Sequence, residues 1–171
     1  MKAVLTGWLV AIALQGSFAE AAPPVSPTSA AAPAASPLVG QWALDVGTLP
    51  MPPEMRPQRV ELDFRAAADG KWTTQVDIVD AKGGRMQSTS TLALDGTPGR
   101  ATGNYWVDVV NAKMPAPNVL VMQFVYEGIP RSTRVYSVSP DGQVLTETEA
   151  YFKDGAPVLR TALFSRAARK P

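Results

Sequence analysis

Two residue types are missing from this chain of 171 residues, which contains no cysteine and no histidine. Without cysteine there is no disulfide framework, no thiol nucleophile and no thiolate ligand for a metal. Without histidine there is no Ser-His-Asp or Cys-His triad, no imidazole zinc site and no histidine pH switch. Catalysis would depend on carboxylates, Lys, Tyr or Arg, and no nucleophile–base pair of these types is evident. We therefore predict that the protein is not an enzyme and uses no metal or other cofactor.

The chain also has no strong excess of positive or negative charge. The chain has 16 Lys and Arg against 15 Asp and Glu, a formal net charge of +1, and charged residues make up 18% of it. No block of like charge occurs, so the sequence lacks the electrostatic pattern of a nucleic-acid-binding protein. Nucleic acid is therefore not an expected partner.

The first 19 residues have the pattern of a signal peptide. Lys2 precedes a short apolar run, Val4–Leu14, and small residues then offer cleavage sites after Ala19 or Ala21. The run of about ten apolar residues is too short to span a bilayer, which takes roughly 20. An uncleaved anchor helix is the alternative. We predict export to the periplasm or the medium, with no stable membrane insertion after cleavage.

Residues 20–37 consist mostly of Ala, Pro and Ser. Such a segment cannot bury enough apolar surface to offset the entropy lost on ordering. The composition therefore predicts a disordered, partly polyproline-like linker. The folded domain is expected to span residues 38–171.

Strand-like segments fill most of the remaining chain. The clearest is 58–66, where Val60, Leu62 and Phe64 alternate with charged residues. A period of two with one polar face indicates an antiparallel sheet. A looser stretch covers 97–103. The predicted strands are 38–46, 58–66, 71–80, 85–94, 104–113, 118–127, 131–139, 143–152 and 156–166.

Glycine-containing turns separate these segments, in most cases about 13 residues apart, which is a strand of roughly nine residues plus a tight turn. No gap holds an amphipathic helix, so a parallel βαβ arrangement is excluded. A flat sheet of sequential hairpins would expose two edges, and closure removes them. We predict an all-β, antiparallel up-and-down meander closed into an eight- to nine-stranded barrel.

A proline-rich loop, Pro50–Pro57, follows the first strand. Its prolines forbid both helix and central strand. Two interpretations remain open: a rigid connector, or a lid over the barrel mouth in which Met51 and Met55 make adaptable apolar contacts.

Four short features occur in a recognisable order. Gly40–Leu44 (Gly-Gln-Trp-Ala-Leu) opens the domain, the Pro50–Pro57 loop follows, Val138–Gly142 contains an Asp-Gly turn, and Phe164–Arg166 closes the chain. Over residues 38–166 this pattern resembles the lipocalin (calycin) superfamily, and more closely the small exported lipocalin-like bacterial proteins of unassigned function. The resemblance implies a lipocalin-like barrel.

Gly40, Trp42 and Arg166 are the residues assigned to barrel closure. Gly40 has no Cβ, so another strand or side chain can approach it closely. Trp42 can plug the bottom of a barrel with its large apolar face. Arg166 on the last strand is predicted to lie over that indole, a cation–π contact of about 0.5–2 kcal/mol.

Large apolar residues mixed with a few polar ones describe either a ligand pocket or a somewhat polar packed core. Arg134, if it points inward, could hold a carboxylate head group, and a rim or surface arginine is the alternative. Three carboxylate pairs, of which Glu147 and Glu149 are one, are interpreted as solvated strand faces. The hypothetical ligand-binding residues are Phe64, Trp72, Tyr105, Met122, Phe124, Tyr126, Arg134 and Tyr136.

Two functions remain open. The first is an exported lipocalin-like barrel that binds a small apolar or amphipathic ligand in its interior. The alternative is a non-enzymatic envelope interaction or structural protein with a filled barrel. A hollow interior favours the first function and a solid interior favours the second. The oligomeric state stays open.

Overall fold

The computed structural model describes residues 35–167, without the side chain of Ala68. The predicted signal peptide, residues 20–34 of the predicted linker and residues 168–171 lie outside the described residues. Within the described part, each strand pairs antiparallel with its sequence neighbours, and the first strand also pairs with the last. The prediction of an all-β meander closed into a barrel is therefore confirmed.

Ten strands make up the barrel in the described part of the chain, and short 3-10 turns lie in the connections Val46–Thr48, Pro53–Met55 and Ala68–Gly70. No helix within residues 35–167 has both the length and the hydropathy needed to cross a membrane. The strands are β1 Gly40–Leu44, β2 Arg59–Ala66, β3 Trp72–Val79, β4 Arg85–Leu92, β5 Gly99–Gly103, β6 Val109–Ala116, β7 Val119–Tyr126, β8 Ile129–Val138, β9 Val144–Lys153 and β10 Ala156–Arg166.

The predicted number of strands, eight to nine, is wrong because the looser stretch contains β5. This strand has five residues, of which only Ala101 is buried, so it shows no readable alternation. Its last residue, Gly103, has φ +131°, and a Cβ there would lie 2.1 Å from the carbonyl oxygen of Gln87. Position 103 therefore requires glycine, and without a side chain it adds nothing to the apolar–polar alternation by which a strand is recognised.

The strand predicted at 104–113 is displaced toward the C-terminus. β6 begins at Val109 and passes through Pro115 to Ala116. Its register with β7 shifts between Lys113 and Ala116, which is a β-bulge. A bulge tolerates the missing N–H of proline, so Pro115 does not break the strand.

The alternating strand directions give the barrel two ends. At the first, called the closing end, the chain enters at β1 and leaves at the end of β10. The opposite end, called the mouth, carries the connection between β1 and β2, the bend at 104–108 between β5 and β6, and the tight turns before β8 and β10.

Side chains fill the barrel toward its closing end. The ring of Phe64 lies 5.8 Å from that of Trp72 and 5.4 Å from that of Tyr136, centroid to centroid. All three residues are buried. The interior at this level is a packed core, and its fully buried members include Trp42, Leu62, Leu120, Met122 and Leu145.

The proline-rich loop covers part of the mouth. Leu49 is buried in the barrel core, and Met51 packs against that core. Arg56 holds the loop in shape, because its Nε donates to the Met51 carbonyl at 3.0 Å. Met51 thus makes the apolar contact that the lid interpretation expects, whereas Met55 is exposed to solvent.

Candidate functional site

The closing end is built around Arg166. Its guanidinium carbon lies 4.2 Å from the centre of the Trp42 ring system. Its nitrogens donate to the carbonyls of Pro37 at 2.6 Å, Val39 at 3.0 Å and Gly142 at 2.8 Å. The Arg166 side chain thus joins the chain entry, the β8–β9 turn and the last strand.

Gly40 leaves the space that Arg166 occupies. A Cβ at Gly40 would lie 2.7 Å from Nη1 of Arg166, and its φ of +136° disfavours other residues. The indole Nε1 of Trp42 donates to the Leu38 carbonyl at 2.9 Å, so the N–H of this buried ring is hydrogen-bonded. The structure brings the three closure residues into one cluster with a structural role.

The predicted ligand-binding residues are not gathered in one cavity. Tyr105, Phe124 and Arg134 line a cavity at the mouth. Tyr126 lies next to that cavity, with its ring 5.6 Å from the exposed Trp106. The others belong to the packed core, and two of them border separate pockets at the closing end; they are Phe64, Trp72, Met122 and Tyr136.

The mouth cavity has a volume of about 350 Å³. This is at the low end of the roughly 300–1,000 Å³ typical of small-molecule sites. Four aromatic side chains form much of its wall, together with a serine, two arginines and a glutamate. The lining residues are Tyr105, Trp106, Phe124, Arg131, Ser132, Arg134, Glu149 and Tyr151.

Local backbone contacts position two of these aromatic residues. Asn104 anchors the 104–108 bend, because its side chain accepts from Gln87 N at 2.7 Å and donates to the Arg85 carbonyl at 2.9 Å. At the other end of the bend, Asp108 accepts from Glu127 N at 2.9 Å. Tyr105 and Trp106 are therefore presented on a fixed bend at the rim of the barrel.

An ionic network forms the floor of the cavity. The Arg134 guanidinium lies 2.9 Å from Glu149 and 3.5 Å from Glu147, and Glu149 also pairs with Arg160. Arg134 further donates to the Tyr105 hydroxyl at 3.2 Å. Two positive and two negative side chains thus balance one another.

The interpretation of Glu147 and Glu149 as a solvated strand face is wrong, because both are buried. They share the inner face of β9 with the buried Leu145. The cross-strand register explains why burial is tolerated, because Arg134 on β8 lies directly opposite Glu149. A paired and hydrogen-bonded charge can be buried where an isolated one cannot.

Arg134 points inward, as the first of its two alternatives requires, and it lines the mouth cavity. Its side chain is 13% exposed, so it is not a surface arginine. Its charge is already matched by the carboxylates of Glu147 and Glu149, so it is not a vacant anchor for a ligand carboxylate. Arg131 is different, because it is exposed at the cavity wall and forms no ion pair among the described residues.

Sequence reasoning missed several lining residues, namely Trp106, Arg131, Ser132, Glu149 and Tyr151. Glu149 and Tyr151 could have been found from their alternation with Leu145, once that residue was assigned to the inner face. Arg131 could not, because β8 has a register shift opposite Phe124 and Val125 that places Arg131 outside the regular pairing.

Tyr136 carries a pH-dependent part of the stability. Burial raises the pKa of its hydroxyl well above the usual range, and the negative charge of Glu147 acts in the same direction. In the unfolded chain a tyrosine titrates near pH 10. The folded state therefore holds this proton more tightly, so its contribution is complete below about pH 10 and is lost as the pH rises beyond that value.

We expect the free energy of unfolding to fall from about pH 9.5 upward, and to fall less steeply in Tyr136→Phe. Denaturant unfolding of both proteins at a series of alkaline pH values measures the two slopes. Equal slopes would show that the Tyr136 proton is not linked to folding.

Neither a family model nor a curated protein matches the chain. Among the described residues, no three acidic side chains cluster so that they could hold a metal ion.

Proposed function

We propose that this barrel binds a small amphipathic molecule at its mouth. The observation that supports this proposal is a cavity of about 350 Å³ with aromatic walls. At its floor, the charges of the arginines and glutamates balance one another. Aromatic walls with a few placed polar groups are typical of small-molecule sites. The site is a mouth pocket rather than a hollow interior, since the barrel core is packed.

The lining suggests the chemistry of the ligand. The floor offers no net charge, because Arg134 and Arg160 are matched by Glu147 and Glu149. Arg131 adds one positive charge at the wall, next to the hydroxyl of Ser132. We therefore propose a ligand with a small aromatic or apolar body and a single anionic group that lies near Arg131.

The proposal is consistent with an exported lipocalin-like protein. The chain enters its first strand through Gly40 and Trp42, and Arg166 on the last strand covers the Trp42 indole. Together with the signal-peptide pattern of residues 1–19, these features support a ligand-binding barrel in the periplasm or the medium.

The expected result with a probe of this chemistry is saturable binding of anilinonaphthalene sulfonate, which has an aromatic body and one sulfonate. Arg131→Gln should weaken binding about tenfold or more, because a charge-assisted hydrogen bond contributes about 1.5–3 kcal/mol. Fluorescence titration measures both affinities. Near-ultraviolet circular dichroism confirms that the protein is natively packed, since loosened states also bind this dye.

Two controls isolate the role of Arg131. Phenylnaphthylamine has the same aromatic body without the sulfonate, and its binding should not change in Arg131→Gln. Arg100→Gln removes an exposed arginine from β5 that does not line the cavity, and it should leave sulfonate binding unchanged. Absence of saturable binding in the folded protein would contradict the proposal.

The alternative is a filled-barrel interaction protein of the envelope, and the packed core around Phe64 favours it. Native mass spectrometry of protein purified from its own host separates the two. A co-purified small molecule that Arg131→Gln releases supports the ligand-binding function, and a ligand-free mass supports the alternative.

A further inference from the structure

The outer surface of the barrel is divided by charge. On β2, β3 and β4 the outward positions alternate with buried ones and include Arg59, Glu61, Asp63, Asp77 and Arg85. On β7 to β10 one charged residue, Arg131, stands at the mouth end of the outer surface. The remaining outward positions of these strands, called the neutral face, include no charged residue, and Val125, Ala150, Phe152, Pro157 and Leu159 are among them.

The neutral face has both projecting side chains and a groove. Phe152 is 76% exposed and Leu159 is 73% exposed, values that are unusual for large apolar side chains. Beside them lies a groove of about 440 Å³ whose lining includes Val125, Pro130 and Ala150. Arg131 borders this groove at its mouth side.

We propose that the neutral face is the interface of a two-fold symmetric homodimer of this chain. In such an interface the same patch is used by both copies, so it must be complementary to itself. A face that carries a projecting Leu159 and an apolar groove side by side meets this condition. Leu159 of each copy would enter the groove of the other.

Charge favours a second copy over a charged partner. The core of a protein interface is depleted in charged residues, and burying an unpaired charge is costly. Apart from Arg131, which borders the groove at the mouth, two neutral faces can meet without desolvating a charge. The threonine and serine hydroxyls on the face also favour a protein partner over lipid, because a second copy can satisfy their hydrogen bonds.

The size of the face is sufficient for a stable dimer. Four strands about 4.8 Å apart form a face about 19 Å wide, and ten residues at about 3.4 Å each make it about 34 Å long. The projected area is about 650 Å², which is of the same order as the roughly 800 Å² per partner of a standard interface.

The test is sedimentation velocity of the mature-length protein from about 0.1 to about 100 µM, a range that covers the weaker interfaces of this size. We expect a monomer–dimer equilibrium in the wild type and a monomer throughout the range in Leu159→Glu. Thr89→Glu adds the same charge on the outward side of β4, where Thr89 is exposed, and should keep the wild-type equilibrium. Because Leu159 is already exposed, circular dichroism should show the same fold in all three proteins.

Two outcomes would overturn the proposal. One is a dimer that persists in Leu159→Glu. The other is a wild-type monomer at every concentration, and if that monomer co-sediments with vesicles of mixed zwitterionic and anionic phospholipids and loses this binding in Leu159→Glu, the neutral face is assigned to a lipid surface. The groove shares Phe124, Arg131, Ser132 and Tyr151 with the mouth cavity, whereas Leu159 lines neither. Binding of anilinonaphthalene sulfonate by Leu159→Glu therefore tests the proposed ligand site separately from the dimer.

Discussion

Replacement of Trp42 by alanine is expected to lower the free energy of unfolding by about 3–5 kcal/mol, the usual cost of removing a large aromatic side chain from a core. Trp42 is completely buried. Its loss would also remove the surface on which the Arg166 guanidinium lies and the hydrogen bond to Leu38. Denaturant unfolding followed by circular dichroism measures the difference.

Trp106→Ala is the matched control. Trp106 is 61% exposed, and its main aromatic contact is the edge-on ring of Tyr126. Its removal should cost less than about 1.5 kcal/mol. Trp42→Phe should recover part of the loss, because a smaller ring still faces Arg166. If Trp42→Ala unfolds near the wild-type midpoint, the tryptophan does not hold the barrel closed.

The second large effect is expected from Arg134→Met, with a loss of about 3–5 kcal/mol. Breaking a buried ion pair by removing one partner leaves an uncompensated charge in the core. Arg160 still pairs with Glu149 in this variant. Glu147, however, loses the only ion pair that it forms among the described residues. Equilibrium unfolding at neutral pH measures the loss.

Two comparisons show whether burial is the cause. Arg59→Met removes an exposed ion pair with Glu61 and should cost at most about 1 kcal/mol. The double variant Arg134→Met/Glu147→Gln should be more stable than Arg134→Met alone, because the orphaned charge is gone. A loss below about 1 kcal/mol in Arg134→Met would mean that the network contributes little to folding.

The meander could be predicted from the sequence because its evidence is local. Alternation such as that of Val60, Leu62 and Phe64 identifies a strand without knowledge of its neighbours. β5 escaped prediction because a strand of five residues, two of them glycine, has too few side chains to alternate. The strand predicted at 104–113 ended before Pro115 because the bulge that accommodates this proline depends on the pairing with β7, which the sequence does not display.

The candidate site was less predictable, because its contacts depend on which residues of neighbouring strands lie opposite one another. Alternation shows that Leu145, Glu147 and Glu149 share a face, but it does not show which face is inside. Burial of the glutamates becomes reasonable only once Arg134 is known to lie opposite Glu149 on β8. A pattern of period two does not show how deep a residue lies in the barrel. Phe64 and Tyr105 were therefore assigned to one pocket, although Phe64 lies toward the closing end and Tyr105 lies at the rim of the mouth.

The position of Arg166 also affects the order in which this chain folds. Its guanidinium reaches the Val39 carbonyl, 127 residues earlier in the chain. β1 can pair with β2 early, but its other edge has no partner until β10 reaches it. Contacts between such distant residues form slowly, because a long loop must first be closed. Until then one edge of β1 is open to other unfolded chains, and a product that stops before residue 163 keeps two unpaired edges.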